Sequence, residues 1–151
     1  MVIWYGAHNM TTIIYNHETK EIGVDGRCTN EDLIISDKAQ KYKRVNGVLF
    51  FVTGVFSDFD LAIENYFADG RTETIPQCTL IAAHKDGRVF VMGYDQEYGR
   101  IHDELSYSIG YGSGGLYALS ALDFGATTRD AVKYAISRDC KSGGKIKVFK
   151  L

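Results

Sequence analysis

The 151-residue sequence has the length of one domain, and its 45% hydrophobic and 24% charged residues allow a substantial core, which excludes a disordered chain. The 17 basic and 19 acidic side chains give a net charge of −2, which offers no electrostatic basis for nucleic-acid binding. The longest apolar stretch, residues 48–56, is too short to cross a bilayer, so no membrane partner is predicted.

The first part of the chain is predicted to form β-hairpins. Residues 11–16 are rich in β-branched side chains, and a polar turn separates them from a second strand in Glu-Ile-Gly-Val. A short strand is predicted at 33–36 and an alternating one at 41–45. The Asn46-Gly47 turn then leads into a continuous apolar strand over 48–55, which should lie centrally because both of its faces need cover.

A helix follows, with Ser57 as its predicted cap and Asp69-Gly70 as its end. The segment 57–77 has room for this one helix and a loop. The later predicted elements are a hairpin of 80–83 and 89–92, a strand at 107–109, helices over 116–124 and 129–138 (the second capped by Thr127 or Thr128), and a strand at 145–149. Because hairpins dominate this order, we predict an α+β fold of mostly antiparallel sheets with helices layered outside them.

The three cysteines bear on the compartment. Cys28, Cys78 and Cys140 lie far apart and form no CxxC pair, so neither a zinc site nor a disulfide framework is predicted. The opening residues, MVIWYGAHNM, have neither the basic region nor the apolar length of a signal peptide. We therefore expect a cytoplasmic protein with reduced thiols. The four histidines share no motif, and no metal or cofactor is predicted.

A glycine cluster resembles a dinucleotide fingerprint. Gly110, Gly112 and Gly115 fit G-x-G-x-x-G between a predicted strand and a predicted helix. A nucleotide fold needs repeated parallel βαβ units, whereas the hairpins upstream predict antiparallel strands. A tight turn in which glycine lets two backbones approach is the favoured interpretation. Ser113 is not in a nucleophile elbow, because Tyr111 stands where the first glycine belongs.

Five short motifs occur in an order that carries a family resemblance. They are Met10-Thr11-Thr12-Ile13-Ile14, Val24-Asp25-Gly26-Arg27, Lys41, Gly112-Ser113-Gly114-Gly115 and Asp139-Cys140-Lys141-Ser142-Gly143-Gly144. Singly, each fits an ordinary strand, turn or solvated charge. Together, over residues 11–151, they resemble the proteasome β subunit family, and most closely its HslV-type threonine peptidases.

The resemblance implies an N-terminal nucleophile hydrolase, which is a four-layer αββα sandwich of two antiparallel sheets. Since 57–77 has room for one helix where the family has two, one helix layer should be reduced. The resemblance also implies a homo-oligomeric ring, an unfolded polypeptide as substrate and an AAA+ unfoldase ATPase as a possible partner.

The implied site residues follow position by position. Thr11 matches the nucleophile, Asp25 and Lys41 match the pair that supports it, and the Gly54 amide matches the oxyanion donor. The polar groups beside the nucleophile match Ser113, Asp139 and Ser142. The residues implied to contact substrate are Arg27, Cys28, Thr29, Ala39, Lys43 and Val52.

The mechanism that this implies depends on a free α-amine at Thr11. A threonine hydroxyl is a poor nucleophile without a base, and an α-amine with a pKa of about 7.7–8.0 can accept its proton near neutral pH. Ten residues precede Thr11 here. Either translation begins at Met10 and a methionine aminopeptidase exposes Thr11, or residues 1–10 are a true leader. In the second case the chain is a precursor or an inactive relative that acts as a scaffold or assembly protein.

Overall fold

The computed structural model describes residues 11–151, and the predicted leader, 1–10, lies outside the described residues. The described residues form two compact units. The terminal unit comprises residues 11–41 and 106–151, and the insert unit comprises residues 42–105. A single domain over 11–151 stays a prediction. No helix among the described residues is long and apolar enough to span a bilayer.

The terminal unit is built on a four-stranded antiparallel sheet. Its strands, in spatial order, are β10 (Ile109–Tyr111), β1 (Ile13–Asn16), β2 (Glu21–Val24) and β11 (Lys147–Lys150). A separate two-stranded ribbon follows β2 and consists of β3 (Cys28–Asn30) and β4 (Leu33–Ser36). Both ends of the described chain therefore lie in one sheet.

Two helices of this unit pack on the sheet through small residues. They are α2 (Gly115–Asp123) and α3 (Thr128–Arg138), and the buried contacts join Ile14 of β1 to Ala118, Ala131, Val132 and Ala135. Close helix–sheet approach explains the glycine in β2, because a Cβ at Gly23 would lie 2.8 Å from Val132 Cγ2. The cap predicted for α3 is confirmed at Thr127, whose side chain accepts the Asp130 N–H at 3.1 Å.

The insert unit holds a five-stranded antiparallel sheet in chain order. Its strands are β5 (Tyr42–Val45), β6 (Val48–Gly54), β7 (Cys78–Ala83), β8 (Val89–Asp95) and β9 (Gly99–Glu104). Every residue of β6 is buried, as its continuous apolar sequence predicted. One α-helix, α1 (Phe59–Phe67), connects β6 to β7, and Phe59, Ala62 and Ile63 pack against Phe50 and Val52 of β6.

Three local features differ from the sequence prediction. The strands β3 and β9 were not predicted. Ser57 does not cap α1, since a 3₁₀ turn over Phe56–Asp58 comes first and the cap residue Asp58 makes no side-chain capping bond. The Asp58 carboxylate instead accepts the Gln77 N–H at 2.8 Å, which ties the start of the helix to the strand that follows it.

Candidate active site

The centre of the candidate site is a buried ion pair in the terminal unit. Lys41 Nζ lies 2.9 Å from Asp25 Oδ1, and the two side chains are 3% and 0% exposed. Asp25 directly follows β2, and Lys41 ends the segment that follows the ribbon. The free-energy cost of removing two charges from water is offset only by their mutual attraction and by further hydrogen bonds.

Backbone donors complete the coordination of the carboxylate. Asp25 also accepts N–H groups from Thr12 at 3.1 Å, Gly143 at 2.9 Å and Arg27 at 3.4 Å. Burial raises the pKa of the Asp25 carboxyl, while Lys41 and the backbone donors act against that shift. Burial likewise lowers the pKa of the Lys41 ammonium, and the attraction of Asp25 opposes it. Each charge is therefore maintained largely by the other.

The backbone of Thr12 connects this pair to the start of β1. The Thr12 amide and Lys41 Nζ both bond to Oδ1 of Asp25, so the ion pair contacts the residue that directly follows Thr11. Asp25 N–H in turn donates to the Thr12 carbonyl at 3.2 Å, and Gly114 N–H donates to the Thr11 carbonyl at 3.2 Å. The backbone of the predicted nucleophile is thus fixed from two sides.

The hydroxyls of the two threonines differ. Thr12 is fully buried, and its hydroxyl lies 2.7 Å from Ser142 Oγ. Within residues 11–151 the Thr11 hydroxyl makes no side-chain hydrogen bond. Among the described residues, the Thr11 hydroxyl is therefore the one of the two that is not engaged by another side chain.

A second polar cluster joins the glycine-rich turn to the loop after α3. Both Ser113 and Ser142 donate their hydroxyls to Asp139 Oδ2, each at 2.6 Å. The other oxygen of Asp139 accepts the Lys141 N–H at 3.1 Å. Through Ser142 this cluster reaches Thr12, so the structure brings together six of the seven residues predicted to be catalytic: Thr11, Asp25, Lys41, Ser113, Asp139 and Ser142.

The glycine cluster has a packing explanation. A Cβ at Gly110 would lie 2.0 Å from the Gly115 carbonyl oxygen, so the strand and the helix start can approach only without side chains there. The strands around the cluster are antiparallel. The tight-turn interpretation is confirmed, and this is not the parallel βαβ setting of a dinucleotide fingerprint.

Four of the predicted substrate contacts belong to this unit and lie in the chain between Asp25 and Lys41. Arg27 is bound to Asp37 in a two-pronged ion pair, at 2.7 and 3.1 Å, and also donates to the Cys140 carbonyl. Ala39 N–H donates to the Gly26 carbonyl at 2.9 Å. On β3, Cys28 is half-buried, and the buried Thr29 has a hydroxyl with no hydrogen-bond partner among the described residues.

The insert unit contains the remaining predicted site residues. Val52 is 1% exposed and belongs to the hydrophobic core. Lys43 forms an ion pair with Asp60, and its ammonium lies 5.4 Å from the centre of the Phe59 ring. Its charge is therefore matched by a carboxylate on α1.

Gly54 ends β6 in a backbone conformation that glycine adopts readily, with a φ of 108°. Val55 donates to Gln77, directly opposite in the register, so Gly54 and Cys78 form a non-hydrogen-bonded pair. The Gly54 N–H consequently points away from β7. On the opposite side of β6, the neighbouring strand β5 does not extend as far as Gly54, because its first residue, Tyr42, pairs with Phe51.

Two contributors to the site are not among the predicted site residues. Gly143 donates to Asp25, and Thr12 donates to it and contacts Ser142. Both lay inside the quoted motifs, but a backbone donor leaves no side-chain signal in a sequence. Among the described residues, no group of three or more histidine, cysteine or acidic side chains is arranged to hold a metal ion.

Comparison with known proteins identifies the fold. No protein-family model and no curated protein matches the sequence. Among solved structures, a eukaryotic HslV from Trypanosoma brucei is similar with a TM-score of 0.69 and 19% identity, over 92% of this chain and 98% of that one. BPH from Thiobacillus denitrificans is similar with a TM-score of 0.66 and 19% identity, over 92% and 95% of the two chains.

The same BPH in complex with epoxomicin is similar with a TM-score of 0.63 and 18% identity, over 92% of this chain and 97% of that one. The chain therefore has the same α+β fold as these HslV and BPH structures. The predicted resemblance is confirmed at the level of the fold.

Proposed function

We propose that the protein is a threonine endopeptidase in which Thr11, once it is the first residue, attacks the peptide bond. The observation that carries this proposal is the position of Thr11. Its neighbour Thr12 contacts the buried Asp25–Lys41 pair, Gly114 holds its carbonyl, and its hydroxyl has no side-chain hydrogen bond to any residue of 11–151. The HslV-like fold supports the same assignment.

In the proposed reaction the Thr11 hydroxyl adds to the substrate carbonyl carbon, and its proton moves to the Thr11 α-amine. The amine then protonates the departing peptide nitrogen, which leaves an ester on Thr11, and water hydrolyses that ester to restore the enzyme. Lys41 provides a fixed positive charge beside the amine, and Asp25 holds it in place.

The proposal assigns the oxyanion to the Gly54 amide, which makes no bond to β7. One such donor contributes roughly 3–4 kcal/mol to transition-state stabilisation. Arg27, Cys28, Thr29, Ala39 and Lys43 are proposed to contact substrate, and Val52, which is 1% exposed in the hydrophobic core, is proposed to shape that surface from beneath. Since the Arg27 fork is occupied by Asp37, we expect it to shape the loop before β3 rather than to pair with a substrate carboxylate.

The chemical test compares two forms of the chain. A form that begins at Met10 is produced in cells with methionine aminopeptidase, and intact mass confirms that it starts at Thr11. We expect it to hydrolyse fluorogenic peptides and the full 151-residue chain to be inactive while it keeps residues 1–10. Thr11→Ala should reduce turnover at least about 10²-fold, whereas the exposed Thr19→Ala serves as the matched control. Unchanged turnover in Thr11→Ala refutes the assignment.

Epoxomicin gives a second probe, because the BPH of Thiobacillus denitrificans forms a complex with it. We expect it to raise the melting temperature of the form that starts at Thr11. A full-length chain isolated from its natural source, with no hydrolysis and no epoxomicin effect, favours the scaffold or assembly protein instead.

The proposal includes a homo-oligomeric ring in the cytoplasm, unfolded polypeptide as substrate and an AAA+ ATPase partner. Two large apolar side chains at the ends of α2 support an oligomer, since Leu116 is 74% and Phe124 95% exposed. Light scattering after size-exclusion chromatography should give a mass of several protomers, which Phe124→Ser reduces. A monomer at micromolar concentration contradicts the ring.

A further inference from the structure

The position of Thr12 in the hydrogen-bond network carries an inference beyond its place in a strand. Its side chain is fully buried, and its three polar groups are all engaged. The amide donates to Asp25, the carbonyl accepts from Asp25, and the hydroxyl lies 2.7 Å from Ser142 Oγ. Thr12 therefore connects the ion pair to the Ser113–Asp139–Ser142 cluster.

Counting protons gives the direction of the Thr12–Ser142 bond. A serine hydroxyl carries one proton, and Ser142 gives its proton to Asp139 at 2.6 Å. Ser113 gives its own proton to the same oxygen of Asp139. Thr12 must consequently be the donor to Ser142, and the proton chain runs from Thr12 through Ser142 to the carboxylate.

The glycine-rich turn is shaped around this hydroxyl. A Cβ at Gly114 would lie 1.8 Å from Thr12 Oγ1 and 2.9 Å from Ser142 Oγ. The backbone of Gly114 has φ −91° and ψ −4°, which any residue can adopt, so it is space rather than conformation that requires glycine. The Gly114 amide also holds the Thr11 carbonyl.

We propose that Thr12 is a positioning residue that orients Ser142 toward Asp139 and fixes the backbone of Thr11 for its reaction. Only the kinetic consequence of this inference rests on the proposed peptidase function. Thr12 is closed off from substrate, so its contribution enters kcat and leaves KM unchanged. Small displacements of reacting groups cost up to about 10²-fold in rate.

The test uses three variants of the 151-residue chain and of its form that starts at Thr11. Thr12→Val keeps the shape and removes the hydroxyl, and Thr12→Ser restores it. The matched control is Thr128→Val, since Thr128 is equally buried in the same unit and its hydroxyl bonds Asn16 and Glu21 at the far end of β1. Circular dichroism and melting curves verify that each variant folds.

We expect Thr12→Val to lower kcat by 10- to 100-fold with KM within twofold. Thr12→Ser should recover most of kcat, and Thr128→Val should keep it. Crystal structures provide a second readout. In Thr12→Val the Ser142 hydroxyl should leave Asp139, and in Thr12→Ser it should stay bonded.

The two failures are distinguishable. If the wild-type form that starts at Thr11 hydrolyses nothing, the peptidase proposal fails and the Ser142 rotamer alone decides the positioning role. If wild type is active and Thr12→Val retains both its kcat and the Ser142–Asp139 bond, the positioning role is overturned.

Discussion

Replacing Lys41 by methionine tests how far the buried ion pair depends on both charges. Methionine has a similar length and is apolar, so the change removes the ammonium 2.9 Å from Asp25 Oδ1 and leaves the carboxylate buried. Breaking such a pair from one side costs about 3–5 kcal/mol. Because three backbone N–H groups still contact Asp25, we expect the lower end, about 3 kcal/mol.

A loss of this size lowers the melting temperature of a chain of this length by roughly 6–12 °C. Urea denaturation followed by circular dichroism measures the free energy of unfolding directly. Without Lys41, the burial that already raises the pKa of Asp25 acts with less opposition. The stranded carboxyl should take up a proton as the pH falls, and the gap between variant and wild type should then narrow.

The control is Lys38→Met, which removes an exposed lysine three residues earlier and should change stability by less than about 0.5 kcal/mol. Asp25→Asn combined with Lys41→Met should lose less than the two single changes together, as expected for groups in contact. A Lys41→Met variant that loses under about 1 kcal/mol at every pH would refute the reasoning that the two charges sustain each other.

Three further predictions concern the insert unit and the cysteines. Burial raises the pKa of the Cys78 thiol to about 12, which keeps it unreactive in the folded protein. Peptide mass spectrometry should therefore find iodoacetamide on the exposed Cys140 of the native protein, and on Cys78 only after unfolding. Burial, together with Arg100, lowers the pKa of His102, so the unfolded chain binds more protons than the folded one. The free energy of unfolding should therefore fall as the pH drops below about 6.5. Urea titrations at pH 7.5 and 5 should show a smaller fall in His102→Gln. Thr53 buries a hydroxyl without a partner among the described residues, so Thr53→Val should stabilise by about 1 kcal/mol; a lower melting temperature contradicts it.

Sequence patterns were sufficient for most of the strands and for the antiparallel sheets. The Asn46-Gly47 turn and the apolar run after it predicted the β5–β6 hairpin, and the register confirms it through the pair of Val45 with Val48. The strand β9 escaped because Gly-Arg-Ile-His-Asp-Glu is polar at most positions, and only pairing with β8 makes it a strand.

Part of the site could not be predicted from a single sequence, because it too depends on contacts between segments that are distant in the chain. The resemblance predicted Asp25 and Lys41, because both act through their side chains and the motifs therefore contain these residue types. The Gly143 donor and the direction of the Thr12–Ser142 bond depend on segments brought together by folding, across 118 and 130 residues of chain. The start of α1 was misplaced because Asp58 finds its partner at Gln77 instead of within its own first turn.

The strand order of the terminal unit has a consequence for when the proposed site can assemble. In its sheet β2, near the start of the described chain, pairs with β11 at the end, and the insert unit is made in between. During synthesis β2 cannot pair with β11, and Gly143 and Ser142 cannot bond Asp25 and Thr12, until residues 142–150 have left the ribosome. A nascent chain without these residues therefore has neither bond, so the proposed peptidase site cannot assemble before they are made.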